Sequence, residues 1–367
     1  VEFTFSAEQD QLRQTVRAVL AERAGHQQVR AMLEAPDAVD AELWATMAEL
    51  GWLGLLAPVE AGGAGLGLVD MAVVLEELGA VPLPGPFLSS AVAATVAARR
   101  LGVPELLDDL VAGRARGTVA VEEPGHGDPL ATVQCAADDA GGGRWTLSGV
   151  KPLVLDGAGA DWALVVARTG EGLGTFVVER PNGQPVPTLD ITRPAARLVL
   201  DGRRAERVGP RGDQTALWRR ILDDIAVAVG SELVGTCQRA MELAVDYAKA
   251  RVQFDRPIAT FQVTKHKAAD MLHRLELARV GTHFAAWASD VDDPGRARAV
   301  AMAKGYVAEA ANWVTAESIQ VHGAVGFTWD VDCHLLYRRA KQNDLLWGSG
   351  TWQRARLADL VLGPVTR

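Results

Sequence analysis

A chain of 367 residues, 49% hydrophobic and 23% charged, has room for two or three domains with well-buried cores and an ordinary soluble composition. Its net charge of −9 works against a nucleic-acid partner, which would need clustered basic groups to neutralise phosphates. Cys135, Cys237 and Cys333 are too scattered for a zinc site and suit a reducing compartment. No run approaches the ~18 apolar residues of a membrane span and no basic-then-apolar leader opens the chain, so a cytoplasmic protein without a membrane partner is expected.

Residues 1–115 read as helical. Ser6, followed by Glu8 and Gln9, predicts an N-cap, and Leu12, Val16, Val19 and Leu20 form one apolar face. The next predicted helix carries Leu43, Met47 and Leu50 and breaks at Gly51. The stretch Gly51–Gly65 is rich in glycine but has neither a phosphate-loop lysine nor a preceding strand, so a packing turn is expected. Over 116–213, short runs around Trp145, Trp162, Thr175 and Arg197 alternate with turns at Asp138–Gly143 and Asp156–Gly157, which is β patterning. From 214 to 367 helical periodicity returns, first with Leu222, Ile225, Ala226 and Val229 on one stripe. Met241, Ala244, Val245 and Ala248 continue one amphipathic helix, and Ala268, Met271, Leu272 and Leu275 mark another. Pro257 breaks the run between them, so a helical hairpin presents Arg251, Phe254 and Gln262 at its bend. On spacing alone this stretch also reads as a helix cap with a solvated arginine. The Asp292–Gly295 turn separates two further helices.

Two blocks of the chain carry a resemblance. Arg251-Val-Gln-Phe254, then Pro257-Ile-Ala-Thr-Phe-Gln262, His266 and Ala269-Asp-Met271, resembles the C-terminal signature of the acyl-CoA dehydrogenase family. Ile319-Gln-Val-His-Gly-Ala-Val-Gly-Phe-Thr-Trp-Asp330, followed by Arg338-Arg339-Ala340, agrees. The resemblance implies an α+β fold: an N-terminal α-helical domain (1–115), a middle β-barrel or sandwich domain (116–213) and a C-terminal four-helix-bundle domain (214–367). It also implies FAD as cofactor, with Arg251, Phe254, Gln262, Gln320 and Gly323 reaching the FAD of a neighbouring subunit. Arginine suits that task because its planar fork grips phosphate oxygens in pairs. Ala324 departs from the family, which usually has a second glycine there.

The same comparison exposes losses. Where the family has flavin-binding aromatic and hydroxyl side chains, this chain has Val119, Glu122, Leu153 and Leu155. A leucine donates no hydrogen bond, and Glu122 would set a negative charge beside a ring that becomes anionic on reduction. The family's two positions for the catalytic carboxylate fall on Trp347 and Ile225, so no catalytic residue is assigned. The fallback bases are Asp224, roughly 100° around the helix from Ile225, and Glu232, a stand-in that reads more readily as a solvated or interface charge. His266, His322 and His334 read as structural, and Trp313, Trp329, Trp347 and Trp352 as packing residues. A kept FAD anchor beside a lost ring pocket resembles the non-catalytic β-type subunit of actinobacterial α2β2 steroid-CoA dehydrogenases. That resemblance implies a homologous catalytic partner, acyl-CoA held mainly by that partner, and an electron-transfer flavoprotein as acceptor. A self-sufficient homotetramer using Glu232 or Asp224, and an inactive scaffold or CoA-ligand binder, are the alternatives.

Overall fold

The computed structural model describes residues 5–34, 39–125 and 127–363. Helix α1 (Ala7–Arg23) starts where the Ser6 hydroxyl accepts from the Gln9 N–H and the Gln9 side chain accepts from the Ser6 N–H, a reciprocal capping box. Val16 and Leu20 are buried, with Leu12 and Val19 packed beside them. The sequence reading passed over α2 (His26–Glu34), a nine-residue helix that buries only Val29 and Met32. Asp40 caps α3 (Ala41–Glu49); Leu50, expected on its apolar face, is exposed because the helix has ended and Gly51 turns left-handed at φ 76°.

Gly51–Gly65 folds as tight turns whose glycines serve packing. A Cβ at Gly63 would lie 2.2 Å from the Ala57 carbonyl oxygen. Helix α4 (Leu68–Ala80), a buried π-helical segment (Phe87–Ala94), α5 (Thr95–Leu101) and α6 (Asp108–Val111) complete the N-terminal helices.

The middle of the chain is a seven-stranded sheet of β1 (Gly117–Ala120), β2 (Ala136–Gly141), β3 (Arg144–Leu155), β4 (Trp162–Thr169), β5 (Gly172–Glu179), β6 (Gln184–Val186) and β7 (Ala195–Val208). The order β1-β4-β2-β3-β7-β5, with β5 pairing back to β4, closes the sheet on itself. Its interior is a separate core that includes Leu147, Val165, Phe176 and Leu198. Asp138 and Asp139, expected in a turn, lie in β2, and the chain reverses between Gly141 and Arg144.

Helices return with α7 (Thr215–Ala250), a 36-residue rod. A short hairpin of β8 (Val252–Gln253) and β9 (Arg256–Pro257) leads into α8 (Gln262–Asp290), followed by α9 (Arg296–His322), α10 (Cys333–Leu345) and α11 (Gly350–Leu362). Ile225 and Val229 of the predicted stripe are wholly buried, whereas Leu272 is exposed beside buried Met271 and Leu275. Helix α4 crosses α7 so closely that a Cβ at Gly235 would sit 1.8 Å from the Glu76 carbonyl oxygen, and one at Gly79 would sit 2.0 Å from that of Glu232. One hydrophobic core therefore runs from α1 through α7 to Trp347.

Candidate functional site

The first expected anchor segment follows the end of α7. Arg251 leaves the helix in extended conformation (φ −75°, ψ 121°), and its carbonyl accepts from the Ile258 N–H at 2.8 Å. The β8–β9 hairpin pairs Val252 with Pro257 and Gln253 with Arg256 around a two-residue turn. Both turn residues, Phe254 (φ 54°) and Asp255 (φ 59°), are left-handed, as a tight hairpin that matches strand twist requires. The turn thrusts Phe254 outward, 84% exposed, with only an edge contact to Phe261. Gln262 is the first residue of α8. The side chains of Arg251 and Gln262 are exposed and have no polar partner among the described residues.

The second segment follows α9. Gln320 is exposed on its last turn and likewise unpartnered. Gly323 ends the helix at φ 64°, ψ −141°, a conformation closed to side-chain-bearing residues, and the space around it is open. The two segments meet through Tyr247 and His322, whose rings stack at 4.4 Å. His322 is buried, and its Nδ1–H donates to the Ser318 carbonyl at 2.7 Å, a structural bond. His334 is buried against the edge of Trp329, and burial first, then Arg338 and Arg30, hold its pKa below the usual value. His266 is exposed on α8.

Of the positions that the resemblance gives to the flavin ring, Val119 and Leu155 are buried and Glu122 and Leu153 half-buried; the two positions that it gives to the base, Ile225 and Trp347, are buried. Trp347 occupies a left-handed conformation (φ 52°), and its N–H donates to Glu122 Oε1 at 2.8 Å, with the Gly348 N–H a further donor. Burial pushes the Glu122 carboxyl up to about 7 against the pull of these N–H groups, Lys304 and Lys151. Lys304, itself buried, donates to the Asn343 carbonyl and is lowered to about 8 by desolvation. Lys151 donates to the Val121 carbonyl at 2.9 Å and to Glu123 at 2.6 Å. Glu122 is thus bonded to the backbone of Trp347, and the apolar side chains in the base and ring positions pack into or against the core.

Both fallback bases are engaged. Glu232, read from sequence as a solvated or interface charge, is buried: Oε1 accepts from Arg193 and, at 2.9 Å, from Arg339, while Oε2 accepts from Asn343 at 2.9 Å. Arg339 also bonds Asp190 at 2.7 Å, Thr192 and the Leu83 carbonyl, so one cage joins the β6–β7 connection, α7 and α10. Asp224 is buried and paired with Arg100 (2.9 and 2.8 Å), and burial pushes its carboxyl up to about 6 against Arg100 and Arg220. It faces a cavity of about 140 Å³ with Arg99, Ser289 and Asp290, whereas Ile225, the family position, is packed wholly in the core.

Sequence reasoning missed a buried cluster on Glu76. His283 Nε2 lies 2.5 Å from it, Arg13 2.9 Å and Arg279 3.0 Å, beside a cleft of about 710 Å³ between α1, α4 and α7. Burial alone would raise the Glu76 carboxyl; His283, Arg279 and Arg13 together hold it below the usual range. No group of acidic, histidine or cysteine side chains could hold a metal ion, and no helix is long and apolar enough to cross a membrane, among the described residues.

The acyl-CoA dehydrogenase N-terminal domain family matches residues 6–118, and the acyl-CoA dehydrogenase C-terminal domain family matches residues 215–362. The chain is 32% identical to acyl-CoA dehydrogenase IpdE2 of Mycolicibacterium smegmatis over 353 residues, 96% of this chain and 98% of that protein. Among solved structures it is similar to a chain of the Tcur3481-Tcur3483 steroid ACAD (TM-score 0.88, 32% identity, 97% and 98% covered). It is also similar to a chain of the ChsE4-ChsE5 complex from Mycobacterium tuberculosis (TM-score 0.88, 29% identity, 100% of both chains covered).

Proposed function

The chain belongs to the acyl-CoA dehydrogenase family of oxidoreductases, and from that premise we propose that it is a β-type subunit which completes the FAD site of a homologous catalytic subunit, in an α2β2 assembly. The observation that carries this reading is a contrast within one chain. Arg251, Gln262 and Gln320 stand exposed and without a polar partner among the described residues, while the Trp347 backbone N–H is bonded to Glu122 where the chain's own ring pocket and base belong. The exposed set fits the diphosphate and nucleotide part of FAD: a guanidinium fork, two amides and an open glycine. The interior set does not fit the ring.

FAD, when bound, supplies the hydride acceptor for α,β-dehydrogenation of an acyl-CoA thioester. This chain's residues bind and orient. Arg251 neutralises diphosphate charge, Gln262 and Gln320 offer amide donors, Phe254 packs on the cofactor or the partner, and Gly323 admits close backbone approach. Removal of the α proton belongs to the catalytic partner, since Glu232 already accepts on both oxygens within a buried cage and Asp224 is held by Arg100. The self-sufficient reading would have to draw its base from a carboxylate that is already paired with arginine. Likeness to the steroid ACAD supports a bulky, steroid-type acyl-CoA as substrate; that the partner mainly holds it, that an electron-transfer flavoprotein is the acceptor and that the setting is cytoplasmic are parts of the same proposal.

Flavin content tests this. Purified alone, the chain should lack the oxidised-flavin band near about 450 nm; purified with its homologous catalytic subunit, it should carry close to one FAD per heterodimer. Arg251→Ala should strip flavin from the complex. Stoichiometric FAD in the isolated chain would overturn the proposal, and a complex indifferent to Arg251→Ala would leave an inactive scaffold as the better description.

A further inference from the structure

The second anchor segment runs from the end of α9 through a 3-10 turn (Gly323–Phe327) into an exposed loop. From Gly323 to Asp330 only Gly326 is buried, and the polar contacts of Thr328 and Asp330 are local to the loop. The start of the loop is fixed by the His322–Tyr247 stack. Its far end is fixed from a different part of the molecule. Arg30, on the short helix α2, donates through Nη1 to Asp332 Oδ1 at 2.6 Å and through Nη2 to the Trp329 carbonyl at 2.7 Å. Its guanidinium also sits 5.7 Å from the centre of the Trp329 ring. His26, one turn earlier, reaches the same Asp332 oxygen at 3.0 Å. Arg30 and Asp332 are 302 positions apart, and each is only 20% exposed.

We propose that Arg30 is a positioning residue for FAD: by clamping Trp329 and Asp332 it sets the course of the Gly323–Asp332 loop, and with it the open backbone at Gly323, in the geometry that receives the cofactor. This rests on the half-site reading above. A guanidinium is required because two separate acceptors, a carboxylate and a backbone carbonyl, are held by two nitrogens of one rigid plane; a lysine ammonium reaches one of them. The clamp also explains the retention of α2, a helix that contributes little to the core. A cofactor gains affinity when the groups that bind it are already ordered, so loosening the loop weakens binding without touching a contact atom.

The test is FAD titration of the complex with the catalytic subunit. Arg30→Ala should raise the FAD dissociation constant about tenfold, the loss of one charge-assisted pair, and Arg30→Lys should restore little of it. Asp332→Asn, which keeps side-chain shape and the bond to the Trp329 carbonyl, should give a smaller shift in the same direction and guards against simple misfolding of the alanine variant. A double-mutant cycle separates positioning from general destabilisation. Arg30→Ala should be non-additive with Gly323→Ala, which lies at the head of the clamped loop, and additive with Arg251→Ala, which lies outside it. If Arg251→Ala weakens FAD binding while Arg30→Ala leaves it unchanged, or if Arg30→Ala adds equally to both, the clamp is refuted and the half-site reading stands. If Arg251→Ala has no effect, the half-site reading fails and takes the clamp with it.

Discussion

Trp347 stands where the family resemblance would place a catalytic carboxylate. Its backbone is left-handed, a conformation costing roughly 1–2 kcal/mol for a residue with a side chain, and the N–H exposed by that turn is bonded to Glu122. The bond has a pH signature. Glu122 has a folded pKa of about 7 against 4.5 for the free side chain, so folding favours its protonated form. Its contribution is then fully present below pH 4.5 and is lost as pH rises through 7. Lys304, whose own value is about 8, stays charged over most of that range and opposes the loss only near pH 8. Between pH 5 and 8 the protein should lose on the order of 2–3 kcal/mol that Glu122→Gln does not lose, measured by urea unfolding at each pH. An equal slope in both proteins would show that Glu122 is not the group responsible.

At the scale of elements, the closest contact is the α4–α7 crossing. Gly235 and Gly79 let two backbones meet where any methyl would overlap a carbonyl oxygen. Gly235→Ala should therefore force the helices apart at a cost of about 3 kcal/mol or more, read as a lowered denaturation midpoint; a stability within about 0.5 kcal/mol of wild type would mean the crossing is more compliant than described. The major helices were legible because periodicity and capping are local: Ser6 announces α1, and Ile225 with Val229 announces the buried face of α7. Helix α2 escaped notice because it is only nine residues long, so its apolar stripe of Val29, Met32 and Leu33 spans little more than one turn. Leu272 misled because its neighbours at helical spacing are buried, and only three-dimensional packing decides which edge of a stripe is covered. Arg251, Phe254 and Gln262 could be picked out because they share a short motif. The cage around Glu232 could not, since its partners Asp190, Arg193, Arg339 and Asn343 lie up to 111 positions away with no pattern linking them.

At the scale of the molecule, that cage is the polar joint between the β region and the helices. Arg339 alone links the Leu83 carbonyl, Asp190, Thr192 and Glu232. Removing one partner of a buried ionic group leaves the others uncompensated, so Arg339→Ala should destabilise the fold by about 3–5 kcal/mol in equilibrium denaturation. A loss under 1 kcal/mol would mean that water replaces the guanidinium. On the proposed half-site reading, the joint commits Glu232 to holding the β region against the helices, which leaves proton removal to the partner.

The left-handed pair at Phe254 and Asp255 has one more implication. A flexible loop that docks must surrender its freedom at the moment of contact, and the complex is weaker by that amount. Here the hairpin has already surrendered it during folding, with strain stored in the turn. Whatever surface receives Phe254 meets a ring standing rigidly clear of its own protein, and association is closer to the seating of a peg than to the folding of a loop.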